Sequence, residues 1–180
     1  MTLTTEQKAT NADTYEHIDQ VMRLLGHAQV ELMRRQFGHD RSKLRTPEVE
    51  IFTEHGPKLK GSTYGSPEYM ANLQAMGPAL QHHYSACRHH PEHYPNGISG
   101  MNLFDILEML IDWYAATKRH SNGDIRKSLE ISSTRFNIDP QLLQVMENTI
   151  PWLVGSMFEP CTRSQVDMQP IESTALICSD

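Results

Sequence analysis

Residues 101–120 read MNLFDILEMLIDWYAATKRH, and this stretch decides the fold. It is long enough for a helix, and apolar side chains occur on every side of it, as in a helix at the centre of a protein. Three acids interrupt the apolar surface, Asp105, Glu108 and Asp112, and their spacing of three, four and seven residues places them on one face. Carboxylates are rarely buried without an ion pair or a metal ion. The pattern predicts a central helix whose acidic face meets a positively charged group.

Around this helix the sequence predicts an all-α, single compact domain of about six helices. Runs of β-branched residues are short and rarely alternate with polar residues, so no strand is predicted. The domain is expected to span residues 13–155, after a polar lead at 1–12 and before a tail at 156–180. The predicted helices cover about residues 13–37, 47–56, 66–83, 101–120, 124–136 and 139–155. Asn11 or Asp13 is expected to cap the first helix, and Gly77 with Pro78 to kink the third.

Composition narrows the class of protein. The 180 residues are enough for one core, and the formal net charge is −6. A nucleic-acid partner is therefore not expected. Three cysteines, an odd number, argue against a disulfide framework. The polar N-terminus has no apolar signal core, and no run approaches the length of a membrane span. These features predict a cytoplasmic protein without a membrane anchor.

Histidine and aspartate side chains on separate predicted helices form a candidate metal site. His17 shares a helix face with Val21, Leu24 and Ala28, which points it inward. The full set of candidate ligands is His17, His39, Asp40, His82, His83 and Asp112. Imidazole nitrogen and carboxylate oxygen together suit Zn, Mn, Fe, Co or Ni, and helical bundles build such sites from facing helices. One or two divalent ions are expected.

Each of these residues also has a purely structural interpretation. His17 fits a core histidine whose nitrogens are hydrogen-bonded, and the adjacent His39 and Asp40 fit a capping pair. Asp112 could instead pair with Arg34 or Arg35. The sequence alone leaves these alternatives open.

In its order His…His-Asp…His…Asp, the chain resembles the HD superfamily of metal-dependent phosphohydrolases. His39 and Asp40 followed by Lys43 resemble the HD-x-x-K core, in which the lysine lies near a substrate phosphate. His82-His83, with YPNG at residues 94–97, resembles the paired histidines and Gly-Tyr-Pro loop of the cyclic-dinucleotide phosphodiesterase branch. Asp112 resembles the final aspartate ligand. The resemblance implies an HD-like helical bundle that hydrolyses a nucleotide or a related small phosphate ester.

Residues 14–150 also resemble an uncharacterised family that is common in phage genomes. Its signatures HD-x-SKL, HHPEHY-x-NG and EM-x-x-DW begin here at His39, His89 and Glu108. This resemblance implies a host-cytoplasm setting for a phage-encoded member, and no settled activity.

The hydrolase interpretation gives further residues a role. A bound ion would lower the pKa of its water towards ~7 and polarise a phosphoryl oxygen. Glu108 could orient a ligand histidine. The side chains that could neutralise phosphate charge are Lys43, Arg88, Lys118 and Arg119. The side chains that could move protons near neutral pH are His89, His90, Glu92 and His93. Histidines in such a loop are, however, often exposed to solvent or serve only to hold the loop in place.

Two other functions compete with hydrolysis of a small phosphate substrate. HD-type sites with extra histidines can hold two irons, which would make the protein a diiron oxygenase. A non-catalytic module could keep the HD-like shell and sequester a ligand. Residues 171–177 and the apolar last helix could serve a homo-oligomer contact, but a monomer is equally compatible with the sequence.

Overall fold

The chain is all-α in the computed structural model, which describes residues 2–62, 66–119 and 123–153. Seven α-helices occur in these ranges: α1 (Thr5–Gly38), α2 (Glu48–Gly61), α3 (Pro67–Ala75), α4 (Gly77–Ala86), α5 (Leu103–Thr117), α6 (Ile125–Phe136) and α7 (Pro140–Leu153). Short 3-10 turns connect some of them, and no strand occurs in the described ranges. The all-α prediction is confirmed.

Helix α1 begins earlier than predicted. The Thr4 hydroxyl accepts a hydrogen bond from the Gln7 amide, and the Gln7 side chain accepts one from the Thr4 amide. This reciprocal capping box starts the helix inside the segment predicted as a polar lead, upstream of Asn11 and Asp13. The predicted tail at 156–180 lies outside the described residues.

Two other boundaries differ from the prediction. Helix α2 continues through Gly56 to Gly61, because packing against α3 offsets the cost of about 1 kcal/mol for a helical glycine. The predicted kink at Gly77 and Pro78 is a full break between α3 and α4. Proline has no N–H to donate, and its ring clashes with the carbonyl four residues earlier.

Helix α5 is the centre of the fold, as the sequence predicts. Asn102 caps it, and its side chain accepts hydrogen bonds from the Phe104 and Asp105 amides. One side of α5 packs on α6 and α7. The core formed there consists of Met109, Leu110, Ile125, Leu129, Ile138 and Met146. The other side of α5 faces the end of α1 and the residues that follow it, so α5 joins the core to the candidate site.

None of the described helices combines the length and the apolar character needed to cross a lipid bilayer.

The packing of the core predicts that alanine substitutions at two positions on α6 differ strongly in their effect on the free energy of unfolding. Leu129 is fully buried, whereas Ile131 is 61% exposed. Leu129→Ala should lower the free energy of unfolding by about 2–5 kcal/mol, because it leaves a cavity between α5, α6 and α7. Ile131→Ala, the matched control, should change it by about 0.5 kcal/mol or less. Urea denaturation measures both, and equal losses would contradict this account of the core.

Candidate metal centre

The chain turns sharply at Asp40, directly after α1. Asp40 has a left-handed backbone conformation with φ of 56°, which is uncommon for residues other than glycine but is tolerated by aspartate. Its carboxylate contacts Lys43, with 2.6 Å between Oδ2 and Nζ. The turn brings the side chains of His39 and Asp40 towards α4, α5 and the loop after α4.

Three imidazole nitrogens and the Oδ1 atom of Asp40 converge on one point. The Oδ1 atom lies 3.2 Å from His83 Nε2 and 3.4 Å from His89 Nε2, and His83 Nε2 lies 3.0 Å from His90 Nε2. All four ligand atoms lie within 4.8 Å of one another. In a tetrahedron with bonds of about 2.1 Å, the distance between neighbouring ligand atoms is about 3.4 Å. The observed distances are therefore close to those around a small divalent ion.

Unsatisfied buried atoms support a metal at this point. Asp40 Oδ1 and His89 Nε2 are buried without a hydrogen-bond partner, although they face each other. Among the described side chains only His55 Nδ1 shares this property. A buried polar atom without a partner costs about 1–3 kcal/mol. Two such atoms facing one point, with two more imidazole nitrogens beside them, fit a metal ion well.

A second group of donors adjoins the first. His39 Nε2 lies 3.6 Å from Asp40 Oδ2 and 3.5 Å from Asp112 Oδ1. Histidine and carboxylate atoms of His39, Asp40 and Asp112 form a set that could hold an ion. Because Asp40 belongs to both sets, its two oxygens could serve two adjacent ions.

Carboxylates orient three of these histidine rings from behind. Glu108 Oε1 lies 2.9 Å from His39 Nδ1 and 3.2 Å from His89 Nδ1. Glu48 Oε2 lies 3.0 Å from His83 Nδ1. Each ring therefore has Nδ1 beside a carboxylate and Nε2 towards Asp40. Metal-binding histidines are usually held this way, since a carboxylate fixes the ring and the tautomer.

The charges of the cluster perturb one another strongly. The Asp112 and Glu108 carboxylates raise the pKa of His39 to about 10. Burial opposes the charge on His83, but the nearby Asp40 and Cys87 raise its pKa to about 9. Burial and the charges of His89 and His83 lower the pKa of His90 to about 3.

The acids in the cluster shift the other way. Burial disfavours the charge on Asp40, yet the His83 and His89 rings and Lys43 hold its pKa well below its usual range. His39 and His89 likewise lower the pKa of Glu108 despite its burial. Without a metal, the site therefore combines anionic carboxylates with imidazolium groups.

An arginine holds the orienting carboxylate in place. Arg35 Nη1 lies 3.0 Å from Glu108 Oε2 and 2.9 Å from Asp105 Oδ1. Asp105 is fully buried and also accepts hydrogen bonds from Arg88 and the Tyr94 hydroxyl. The positively charged partners predicted for the acidic face are therefore arginine and histidine side chains. Asp105 pairs with arginines, Glu108 pairs with Arg35 and with histidines, and Asp112 lies beside His39. Neither Arg34 nor Arg35 pairs with Asp112.

The structure does not bring two of the six predicted ligands into the cluster. His17 is exposed on α1, 22 residues before His39 and hence about 33 Å away along the helix. The expectation that it points into the protein is wrong, because the described residues bury no part of α1 at that level. His82 is half-exposed and contacts Glu48 through Nδ1, outside the sets of donor atoms.

The loop residues divide into two groups. His89 and His90, predicted to move protons, lie among the candidate metal donors. His93 Nδ1 contacts the Tyr84 carbonyl oxygen, and Glu92 pairs with Arg135 on α6. Those two contacts pin the loop and place neither side chain at the donor cluster.

The predicted phosphate-binding residues also differ in position. Lys43 is paired with Asp40, and Arg88 with Asp105. Lys118 lies over the Tyr114 ring, and both Lys118 and Arg119 are exposed just after α5. Of the four, only Lys43 and Arg88 lie beside the cluster.

Glu48 was not predicted as a site residue, and Arg34 was predicted only as a possible partner of Asp112. Glu48 follows Pro47 as an ordinary first-turn acid, and only its complete burial against His83 sets it apart. Arg34 lines a cavity of about 330 Å³ with Arg35 and Arg88, and Asp40 and His89 form part of the same wall. A second cavity, of about 550 Å³ and mostly apolar, adjoins Asp112 on the other side of His39.

Comparison with known proteins gives a match to a protein family. A family model described as "Family of unknown function (DUF5662)" matches residues 6–151. No curated protein and no solved structure matches the chain.

Metal binding should release protons. At pH 7, below the raised pKa values of His39 and His83, both rings are protonated in the metal-free protein, but a ligand nitrogen must be deprotonated. Binding of Zn²⁺ or Mn²⁺ should therefore release at least one proton per ion, and affinity should rise as pH approaches about 9. Calorimetry in buffers of different ionisation enthalpy measures this release. Binding without proton release would contradict the assignment of these histidines.

Glu48 should matter for metal affinity although it does not face the donor cluster. Glu48→Gln keeps the shape but removes the charge behind His83, so metal affinity should fall by about 10–100-fold. Glu50→Gln is the matched control, since Glu50 is exposed on the same helix. Competition with a chromophoric chelator measures both affinities. Unchanged binding by a folded Glu48→Gln variant would exclude the orienting role.

Proposed function

The chain belongs to the DUF5662 family, and we propose for this member metal-dependent hydrolysis of a nucleotide or a related small phosphate ester. The proposal depends mainly on the convergence of Asp40, His83, His89 and His90 on one point. Two of their donor atoms, Asp40 Oδ1 and His89 Nε2, are buried without a hydrogen-bond partner. The resemblance of the His39, Asp40 and Asp112 order to HD phosphohydrolases supplies the reaction class.

The roles of the residues follow from their contacts. Asp40, His83, His89 and His90 would hold one ion, and this set of ligands would suit Zn, Mn, Fe, Co or Ni. A bound ion of this kind activates water and polarises a phosphoryl oxygen. Glu108 fixes one ring of this set, His89, and the neighbouring His39 from behind, so these donors keep their geometry during a reaction.

The arginine-lined cavity supports a phosphorylated substrate. Arg34 has no ion-pair partner within the described ranges, and it lines the cavity that Asp40 and His89 also line. Arg88 is half-exposed there, and Asp105 holds it. A planar guanidinium group can donate two parallel hydrogen bonds to two oxygens of one phosphate. A phosphate in this cavity would lie between Arg34 and the metal donors.

The size of the cavity favours a small molecule over a polymer. Its volume of about 330 Å³ lies at the small end of the range for ligand pockets. Together with the net charge of −6, this supports a nucleotide-sized substrate and no nucleic-acid partner.

A diiron oxygenase is the second candidate, and one observation favours it. Two donor sets share Asp40, and the second contains His39 and Asp112. A carboxylate shared between a set with three histidines and a set with one histidine and a further carboxylate suits a pair of irons as well as a pair of hydrolytic ions. The identity of the bound metal separates the two functions.

Metal content and phosphate release should be lost together. The wild-type protein, purified without chelators, should contain about one or two equivalents of metal and release phosphate from at least one compound in a panel of nucleotides. Asp40→Asn should lose most of the metal and reduce turnover ~100-fold or more, and Asp112→Asn should remove the second equivalent where two are present. Elemental analysis and phosphate detection measure both effects.

Two control variants sharpen this experiment. Asp19→Asn changes an exposed acid on α1 and should alter neither quantity. Arg34→Ala should raise KM without changing metal content. Arg126→Ala removes an exposed arginine on α6 and should change neither KM nor metal content. Iron with oxygen uptake and no phosphate release would favour the oxygenase. Metal without turnover would favour the sequestering module, and a folded protein that takes up no added metal would refute the site.

A further inference from the structure

The ring of His82 lies outside the sets of donor atoms, yet it makes a short hydrogen bond beside them. Its Nδ1 lies 2.7 Å from Glu48 Oε1, although 46% of the His82 side chain is exposed. Glu48 itself is completely buried and also contacts His83. A buried carboxylate therefore joins a half-exposed imidazole to one ring of the donor cluster.

The other oxygen of Glu48 has a second partner, the hydroxyl of Ser42. Ser42 Oγ lies 3.1 Å from Glu48 Oε2 and 3.0 Å from His83 Nδ1, and Nδ1 lies 3.0 Å from the same carboxylate oxygen. A carboxylate only accepts hydrogen bonds, so the hydroxyl and Nδ1 are the donors. Nδ1 of His83 therefore carries a hydrogen, and in the neutral ring the lone pair of Nε2 faces Asp40.

The two oxygens of Glu48 are thus held by donors from different parts of the chain. His82 lies on α4, whereas Ser42 lies in the short turn Arg41–Leu44. Rotation about the last side-chain bond of a glutamate has a broad, roughly two-fold energy profile, so burial alone does not fix the plane of the carboxylate. Hydrogen bonds to both oxygens do fix it. The plane of the Glu48 carboxylate in turn sets the direction in which His83 points its Nε2.

Ser42 also connects two donors of one set. It follows Asp40 by two residues, and its turn packs against α2 and α4. Cys87 Sγ lies 3.5 Å from both Ser42 Oγ and His83 Nδ1. The Phe52 ring lies edge-on to the His83 ring, with 6.4 Å between their centroids. Because these neighbours pack around the His83 ring, a shift of Ser42 would move that ring and the Asp40 turn together.

We propose that His82 and Ser42 are positioning residues of the metal centre. Each holds one oxygen of Glu48, and Glu48 thereby keeps the Nε2 atom of His83 aimed at the ion. The inference rests on the metal centre of the proposed function, and it gives neither residue a contact with metal or substrate. Replacing an outer residue that orients a metal ligand typically lowers metal affinity by about 10–100-fold.

The experiment is a Zn²⁺ titration of the full chain in competition with a chromophoric chelator. His82→Leu removes the donor to Glu48, so Zn²⁺ affinity should fall about tenfold. His82→Asn places an amide N–H near the former Nδ1 and should restore affinity to within about twofold of the wild type. Ser42→Ala removes one hydrogen bond to Glu48 and should weaken binding about fivefold. Gln81→Leu, the matched control, changes an exposed neighbour on α4 and should leave affinity unchanged.

A double-mutant cycle tests whether both residues act through Glu48. In the Glu48→Gln background, His82→Leu and Ser42→Ala should each lower Zn²⁺ affinity by less than about twofold, because the carboxylate that they orient is gone. Full additive losses would overturn the inference. Equal losses in His82→Leu and His82→Asn would also overturn it, since they would indicate that His82 binds the ion itself. Circular dichroism checks the folding of every variant, and Ser42→Ala decides the question if His82→Leu does not fold.

Reading out metal affinity separates this inference from the proposed hydrolysis. A protein that binds Zn²⁺ and responds to these variants, but releases no phosphate, would refute hydrolysis alone. Unchanged Zn²⁺ affinity in His82→Leu and Ser42→Ala, in a protein that does release phosphate, would overturn the positioning roles alone. A folded wild-type protein that takes up no Zn²⁺ would overturn both.

Discussion

The guanidinium of Arg35 joins the two parts of the structure on which the candidate site depends. It is only 12% exposed and contacts Glu31 on its own helix as well as Asp105 and Glu108 on α5. Removing it would leave two carboxylates close together and buried, which is strongly unfavourable. Because Glu108 in turn contacts His39 and His89, this ion pair sets the orientation of the rings. The site is therefore held from behind by the same charges that attach α1 to α5.

The sequence predicted the centre of this arrangement and missed its periphery. The acidic face of α5 was visible because helix periodicity fixes which side chains share a face. His39, Asp40 and Asp112 meet as expected, because a helix end and a central helix constrain their positions. Arg35 is one of two adjacent arginines in the last turns of α1, so the sequence could not choose it over Arg34. Glu48 gave no signal, since an acid after proline is ordinary at the start of a helix.

His17 shows why the remaining prediction failed. Its neighbours Val21, Leu24 and Ala28 make an apolar face, and an apolar face usually indicates the protein interior. Periodicity shows that a face is apolar, but it does not show whether the same chain covers it. The histidines of the loop after α4 take the positions around Asp40 that His17 was expected to share. Loop residues have no periodicity, so only the folded chain shows which of them turn inward.

The division of the molecule around α5 also has a consequence for the order of folding. Helices α2, α3 and α4 pack on one another, as do α5, α6 and α7, and within each group the contacts are between segments close in the chain. Such local contacts form quickly because short loops cost little entropy to close. The donor cluster instead draws on residues 39–40, 83–90 and 112, which belong to both groups and to the end of α1. We therefore expect the helical groups to form first and the binding centre to appear only when they dock, so the last region to fold is the one that carries the chemistry.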